Sequence, residues 1–239
     1  MAFFAGYIPN VTEPPLADLY SRQKVQLWRL EGARARDRGG VALYLAGRDI
    51  LDGYRRLGFY ALGTGGVRWF RNPVLTDPFD RFLLWAPDDG VDVFTPRRRE
   101  HFALEHGDEI LAALRPQKRW FLFINCLETH APYDLGTAPL PAPAWRVMER
   151  ARAIWGGKDT LLEGSGLDHA QLASLHPYQI QALEGLDERL GRLVGRLPRP
   201  FLFVFCGDHG ECFGEGMKFG HGFVAPQVLE VPLVIGVCR

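Results

Sequence analysis

Short, nearly uninterrupted apolar runs constrain the fold of this chain more than any other feature. Four of them lie at Val41–Ala46, Trp120–Cys126, Phe201–Cys206 and Val231–Val237. A strand that is buried on both faces reads as a continuous apolar run, whereas a half-exposed strand alternates between apolar and polar residues. The runs therefore predict buried strands of a parallel sheet, and Val91–Thr95 is a weaker candidate of the same kind.

Helical patterns separate these runs. One set of leucines recurs at spacings of three and four residues: Leu183, Leu186, Leu190, Leu193 and Leu197. That spacing places them on one face of a helix, and Pro198 then ends it. The segments Asp49–Leu57, Glu100–Leu114 and Ala144–Trp155 also read as helices. Strands that alternate with helices predict an α/β protein with a mostly parallel central sheet and helices on both faces.

The composition excludes several classes of protein. The formal net charge is zero, so the chain has no global attraction to nucleic acid or to an acidic membrane surface. No segment has the ~18 consecutive apolar residues of a membrane span. The four cysteines show no C-x-x-C spacing, and we expect them to be reduced core residues. These features predict a cytoplasmic protein without a nucleic-acid partner.

Two of the predicted strands end in polar clusters. "INCLETHAPY" gives Asn125, Glu128 and His130 at the end of the second run. "CGDHGE" gives Asp208, His209 and Glu211 after the third. Ligands of open α/β sheets bind beyond the carboxyl ends of the strands, so both clusters could reach one cleft. A carboxylate and a neutral imidazole together suit a divalent cation. The alternative is a surface loop in which Asp208 caps a helix and His209 is solvated.

The glycine-rich stretch that follows holds two candidates for binding an anion. Lys218 is one of only four lysines in the chain and lies three residues before His221. Its ammonium group could neutralise an anionic oxygen, although a solvated loop side chain is the alternative for both residues. The "GTGG" segment at Gly63–Gly66 lacks the Walker lysine and the full G-x-G-x-x-G pattern, so we expect a turn there.

The order of these motifs resembles the sulfatase-like members of the alkaline phosphatase superfamily. A helix ending in "LDERLGRL" is followed by a buried strand, "GDHGE", "GHG" and "VLEVPLVIG", which looks like the C-terminal half of that family. "FLFINCLETHAPY" resembles its upstream strand, and "LGFYALGTGGVRWF" resembles the segment after its "G-Y-x-T" strand. The specific motifs lie in Phe121–Tyr133 and Leu186–Gly236.

The resemblance implies a metal-dependent hydrolase or transferase whose substrate is a small anionic sulfate or phosphate ester. Asp208 and His209 would be the ligands of a divalent metal ion (Ca, Mn or Zn). His130 and His221 would have catalytic roles, and they would bind the substrate together with Lys218. The metal would act as a Lewis acid and keep a nucleophile deprotonated.

The sequence also departs from that family. The family takes metal-binding acids and a Ser, Thr or Cys nucleophile from an early strand, before the segment that "AFFAGYIP" (Ala2–Pro9) resembles. No Cys-x-Pro-x-Arg or Ser-x-Pro-x-Arg motif occurs here, so no residue is assigned as the nucleophile. We therefore expect one sulfatase-like α/β domain over residues 1–239, N-terminally incomplete, without the N-terminal strand and the nucleophile segment.

Whether such a chain is an enzyme is open from the sequence. Its exposed sheet edge would allow a homodimer or a partner chain to complete the sheet. One alternative is a non-catalytic sulfatase-like paralogue that binds an anion or a partner protein. The other is an unrelated α/β protein with a chance D-H-G sequence.

Overall fold

The computed structural model describes residues 50–71, 73–86, 98–134, 140–155, 166–223 and 225–239. The expected strands at Val41–Ala46 and Val91–Thr95 lie outside these ranges. The chain divides into two compact units: the first holds residues 1–91 and 100–127, and the second holds residues 92–99 and 128–239.

The described part of the first unit contains a parallel sheet of three strands. Strand β1 (Tyr60–Gly65) lies between β2 (Arg81–Leu84) and β3 (Trp120–Asn125). The helices are α1 (Ile50–Arg56), α2 (Pro73–Thr76) and α3 (Gly107–Leu114). Short 3₁₀ turns at Arg68–Arg71, Arg99–His101 and Ala103–His106 complete this part of the chain. The expected helix Glu100–Leu114 is therefore two 3₁₀ turns followed by α3.

Aromatic packing explains the glycines of this sheet. Six apolar side chains pack together around it: Leu51, Ala61, Phe79, Phe82, Phe121 and Phe123. A Cβ atom on Gly63 would lie 2.4 Å from Cδ2 of Phe82, so the absence of a side chain lets that ring cover β1. The expected turn at Gly63–Gly66 is wrong for its first three residues, which are the end of β1.

The second unit contains four helices among its described residues. They are α4 (Ala142–Trp155), α5 (His169–Ala173), α6 (His176–Val194) and α7 (Pro226–Leu229). Leu186 and Leu193 of α6 are buried, as the leucine spacing predicts, whereas Leu183 of the same set is exposed, so the prediction is wrong for that residue. Asp168 caps α5, because its side chain accepts from the backbone N–H of Gln171 and the Gln171 side chain accepts in return, which is a capping box.

The strands of the second unit form antiparallel pairs. Strand β4 (Phe201–Cys206) pairs with β7 (Leu233–Cys238). Two short strands, β5 (Cys212–Phe213) and β6 (Phe219–Gly220), pair around a 3₁₀ turn at Glu215–Met217. The prediction of a mixed α/β protein with a parallel sheet is confirmed, but that sheet is small. The expectation that the runs at 201–206 and 231–237 belong to it is wrong, because they pair with each other in opposite directions.

The β4–β7 ribbon exposes one apolar face. The register places Leu202 opposite Val237, and Val204 opposite Ile235, so all four side chains point to the same side. They are 60%, 64%, 54% and 61% exposed, respectively. The prediction that these strands are buried on both faces is therefore wrong for this side of the ribbon.

The structure also bears on the expectations for the cysteines and for membrane spans. All four cysteines are free thiols, with Cys212 buried and the others half-buried. Over the described ranges, no helix combines the length and the apolar composition that a membrane crossing requires.

Candidate metal centre

Three histidines and one glutamate of the second unit lie together. The ring centroids of His209 and His221 are 3.7 Å apart and the rings are stacked. The ring of His130 lies 5.3 Å from that of His221 and 6.5 Å from that of His209. Glu211 contacts His221, with 3.0 Å between Oε1 and Nδ1. His130 of the first polar cluster and His209 and Glu211 of the second therefore lie together within this unit.

Gly210 fastens the loop that follows β4. Its backbone N–H donates to the carbonyl oxygen of Val228 over 2.9 Å. A Cβ atom at this position would lie only 2.0 Å from the carbonyl oxygen of Gln227, which no side chain can tolerate. Glycine therefore lets the loop lie directly on the backbone of α7, and this contact fixes His209 and Glu211 on either side of it.

A tight turn presents His130. The backbone N–H of Tyr133 donates to the carbonyl oxygen of His130 over 3.0 Å. Tyr133 has a φ of 60°, a left-handed conformation that is unfavourable for a bulky side chain. Its ring is buried and lies 5.8 Å, centroid to centroid, from the ring of Phe213.

Glu211 is a buried carboxylate with two donors. Its side chain is 3% exposed, Oε1 faces Nδ1 of His221, and Oε2 accepts a hydrogen bond from the hydroxyl of Tyr133. Burial raises the pKa of this carboxyl, but other effects outweigh it and the pKa lies below its usual value. Those effects are the hydrogen bond and charge of His221, the charge of His130 and the Tyr133 hydrogen bond. Glu211 is therefore ionised at neutral pH.

Each histidine of the cluster has an oxygen next to Nδ1. Nδ1 of His130 lies 2.8 Å from the backbone oxygen of Ala131. Nδ1 of His209 lies 3.0 Å from the backbone oxygen of Gly210. Nδ1 of His221 lies 3.0 Å from the Glu211 carboxylate. A carbonyl or carboxylate oxygen can only accept, so Nδ1 carries the proton in each ring. For His130 and His209, whose acceptors are backbone carbonyl oxygens, the neutral ring then has its lone pair on Nε2, as in metal-binding histidines whose other nitrogen is held by an acceptor.

His130, Glu211 and His221 form a group that could hold a metal ion. They offer one ligand atom each, and these atoms lie within 4.8 Å of one another. Two imidazoles bound to one tetrahedral zinc ion through nitrogens about 2.1 Å away have centroids about 5 Å apart. The His130–His221 separation of 5.3 Å fits that geometry. The stacked rings of His209 and His221 are too close for both to bind the same ion in this way.

The predicted metal pair, Asp208 and His209, lies at the edge of the cluster. The Asp208 side chain is 59% exposed, and its Oδ2 lies 3.8 Å from Nε2 of His209. Oδ1 accepts from the backbone N–H of His209 over 3.1 Å, so Asp208 braces its own loop. Their role as metal ligands stays a prediction.

The predicted anion-binding residues are placed differently from one another. His130 and His221 lie in the cluster, whereas the Lys218 ammonium lies 5.0 Å from the ring centroid of Phe223, a cation–π contact. Sequence reasoning named Glu211 as polar but gave it no role, and it gave none to Tyr133. The spacing of Glu211, two residues after His209, is the one signal that could have included it.

No protein-family model matches the chain, and no curated protein matches it either. The resemblance to sulfatase-like hydrolases therefore rests on the motifs quoted above.

Proposed function

We propose that the second unit carries the metal site of a hydrolase or transferase that acts on sulfate or phosphate esters. The observation that carries the proposal is the buried Glu211 carboxylate in one cluster with His130 and His221. The order of the motifs supports the same reaction class. Buried carboxylates are paired with cations or coordinate metals, and two imidazoles with a carboxylate supply donors for a divalent ion.

We place this ion between His130, Glu211 and His221. Two nitrogens and one carboxylate oxygen favour zinc or manganese over calcium, because calcium takes oxygen ligands almost exclusively. Asp208 and His209, the ligands expected from the resemblance, form the competing set. The exposed carboxylate of Asp208 is better hydrated than that of Glu211, so it gains less from binding a cation.

A sulfate or phosphate ester would meet complementary groups beside this site. The bound ion would supply Lewis acidity. The Nε2 atom of His209 faces Asp208 at the exposed edge of the cluster, where a protonated imidazole could donate to the departing ester oxygen as a general acid. Lys218 lies between β5 and β6, and its charge would favour an anionic substrate over a neutral one.

Metal retention tests the ligand set. The full chain is treated with chelator, reloaded with zinc or manganese, dialysed and analysed for metal content. Wild type should retain one ion per chain. The pair His130→Ala with Glu211→Gln should lose it, whereas the exposed His176→Gln control should keep it. Loss confined to Asp208→Ala with His209→Ala would move the ion to that pair, and a wild type that retains no metal would refute the site.

Ester turnover tests the reaction. The metal-loaded chain is assayed with p-nitrophenyl sulfate and p-nitrophenyl phosphate, and metal content is measured on the same samples. If His130 is a ligand, His130→Ala loses metal and turnover in equal proportion. If it acts only on the substrate, turnover falls more than metal content. Retained metal without turnover of either ester would support the non-catalytic reading of the sequence.

A further inference from the structure

Tyr133 makes polar contacts with both halves of the candidate metal centre. Its backbone N–H holds the carbonyl oxygen of His130, and its hydroxyl donates to Oε2 of Glu211. Glu211 lies 78 positions away along the chain. One residue therefore ties the turn that presents His130 to the carboxylate that contacts His221.

The conformation of Tyr133 is costly and is maintained by its surroundings. Its φ of 60° is a conformation that bulky residues rarely adopt. Such outliers persist where the neighbouring structure fixes them, and they cluster at functional sites. Here the ring is 4% exposed and belongs to the buried core of the second unit, so packing fixes the direction in which the hydroxyl points.

We propose that Tyr133 is a positioning residue, which sets the orientation of the Glu211 carboxylate toward Nδ1 of His221. This inference rests on the metal site proposed above. The hydroxyl occupies Oε2, so Oε1 is the oxygen left to face Nδ1 of His221. In the metal-free chain Nδ1 of His221 donates to Oε1, and an ion bound by both Glu211 and His221 would take the place of that proton between them. Tyr133 thus acts on the ion through a second residue and does not bind it.

Tyr133→Phe removes the hydroxyl and keeps the ring. Tyr178→Phe is the matched control, because Tyr178 packs against the same core as Tyr133 and is assigned no part in the metal site. Zinc affinity is measured by competition with a chromophoric chelator on the full chain. Loss of an outer hydrogen-bonding partner of a metal ligand typically weakens binding by about 10–100-fold, and we expect a loss of this size for Tyr133→Phe alone.

Two further readouts separate positioning from simple loss of structure. Cobalt replaces zinc, and its visible absorption reports the coordination geometry, which Tyr133→Phe should change while Tyr178→Phe does not. Glu211→Gln is combined with Tyr133→Phe in a double-mutant cycle. If Tyr133 acts through Glu211, the double variant binds zinc no more weakly than Glu211→Gln alone, and additive losses would overturn the proposal.

A measurement on the metal-free protein tests the positioning role of Tyr133 independently of the proposed function. Two-bond ¹⁵N–¹H spectra of the imidazoles distinguish the Nδ1–H and Nε2–H tautomers. Wild type should show His221 as Nδ1–H, and Tyr133→Phe should shift it toward Nε2–H. An unchanged tautomer overturns the role of Tyr133 whether or not metal binds. A wild type that binds no zinc, but loses the Nδ1–H tautomer in Tyr133→Phe, refutes the metal site and keeps the positioning role.

Discussion

At the scale of single residues, Glu211 links the stability of the second unit to pH. Its folded-state pKa lies below the usual value of 4.5, because the interactions with His221, His130 and Tyr133 outweigh the effect of burial. A group whose pKa is lower in the folded state contributes stability above its unfolded pKa, and this stability is lost as the pH falls through the folded pKa. Acid should therefore weaken the fold through this carboxyl.

Glu211→Gln should remove that contribution. For the metal-free protein, we expect wild type to lose unfolding free energy as the pH is lowered from about 5 toward 3, and the variant to show a shallower loss. Urea denaturation at a series of pH values measures this. Glu230→Gln, an exposed control, should retain the wild-type slope. An identical slope in Glu211→Gln would contradict the lowered pKa.

At this scale the sequence identified the histidines but not the residues that position them. His130 and His209 were visible because each comes within four residues of the end of an apolar run. The hydrogen bond between Tyr133 and Glu211 joins residues 78 positions apart, and no local pattern encodes such a pairing. The positive φ of Tyr133 was equally hidden, since tyrosine gives no sign of a left-handed conformation.

At the scale of elements, two glycines should respond to alanine in opposite ways. Gly191 lies within α6 with nothing within 4 Å of an added Cβ atom, whereas a Cβ on Gly210 would meet the Gln227 carbonyl. Gly191→Ala should stabilise by about 0.5–1 kcal/mol, because alanine loses less conformational entropy in a helix. Gly210→Ala should destabilise by about 1–3 kcal/mol through overpacking.

Chemical denaturation of the two variants beside wild type checks both signs. Gly191→Ala also serves as the control for Gly210→Ala, since the added methyl group is the same. A Gly210→Ala variant as stable as wild type would mean that the loop after β4 does not lie on the backbone of α7.

The long periodic elements could be predicted, and the short or distant pairings could not. The leucine spacing identified α6, and the apolar runs identified β3 and β4. Strand β2 has four residues, and β5 and β6 have two each, which is too short for a hydrophobic period to show. The direction of β7 relative to β4 depends on the path of the chain between residues 207 and 232. An apolar run does not indicate whether its strand will pair in a parallel or an antiparallel direction.

At the scale of the whole molecule, the exposed face of the β4–β7 ribbon is the feature least typical of a globular protein. A two-stranded ribbon is marginally stable by itself, and contiguous exposed apolar residues promote association between chains. Leu202 and Ile235 are both more than half exposed on this face.

Threonine at these two positions tests the exposure directly. Leu202→Thr and Ile235→Thr should each change the unfolding free energy by less than about 0.5 kcal/mol, as surface substitutions do, and should raise the solubility of the chain. The control Leu193→Thr, in the buried face of α6, should cost about 2–5 kcal/mol. A comparable loss at Leu202 or Ile235 would mean that another surface covers the ribbon in the folded protein.

The geometry of the candidate metal centre also has a consequence for the rate of amide hydrogen exchange. Two of the hydrogen bonds that shape it are donated by backbone amides outside the helices and strands: Gly210 donates to Val228, and Tyr133 donates to His130. Amide protons in ordinary loops exchange with solvent through local unfolding of low free energy. Amide protons that are hydrogen-bonded to the core exchange only through larger unfolding events. If these two amides hold the site as described, their protons will exchange with deuterium at rates like those of α6 and more slowly than those of the surface loops.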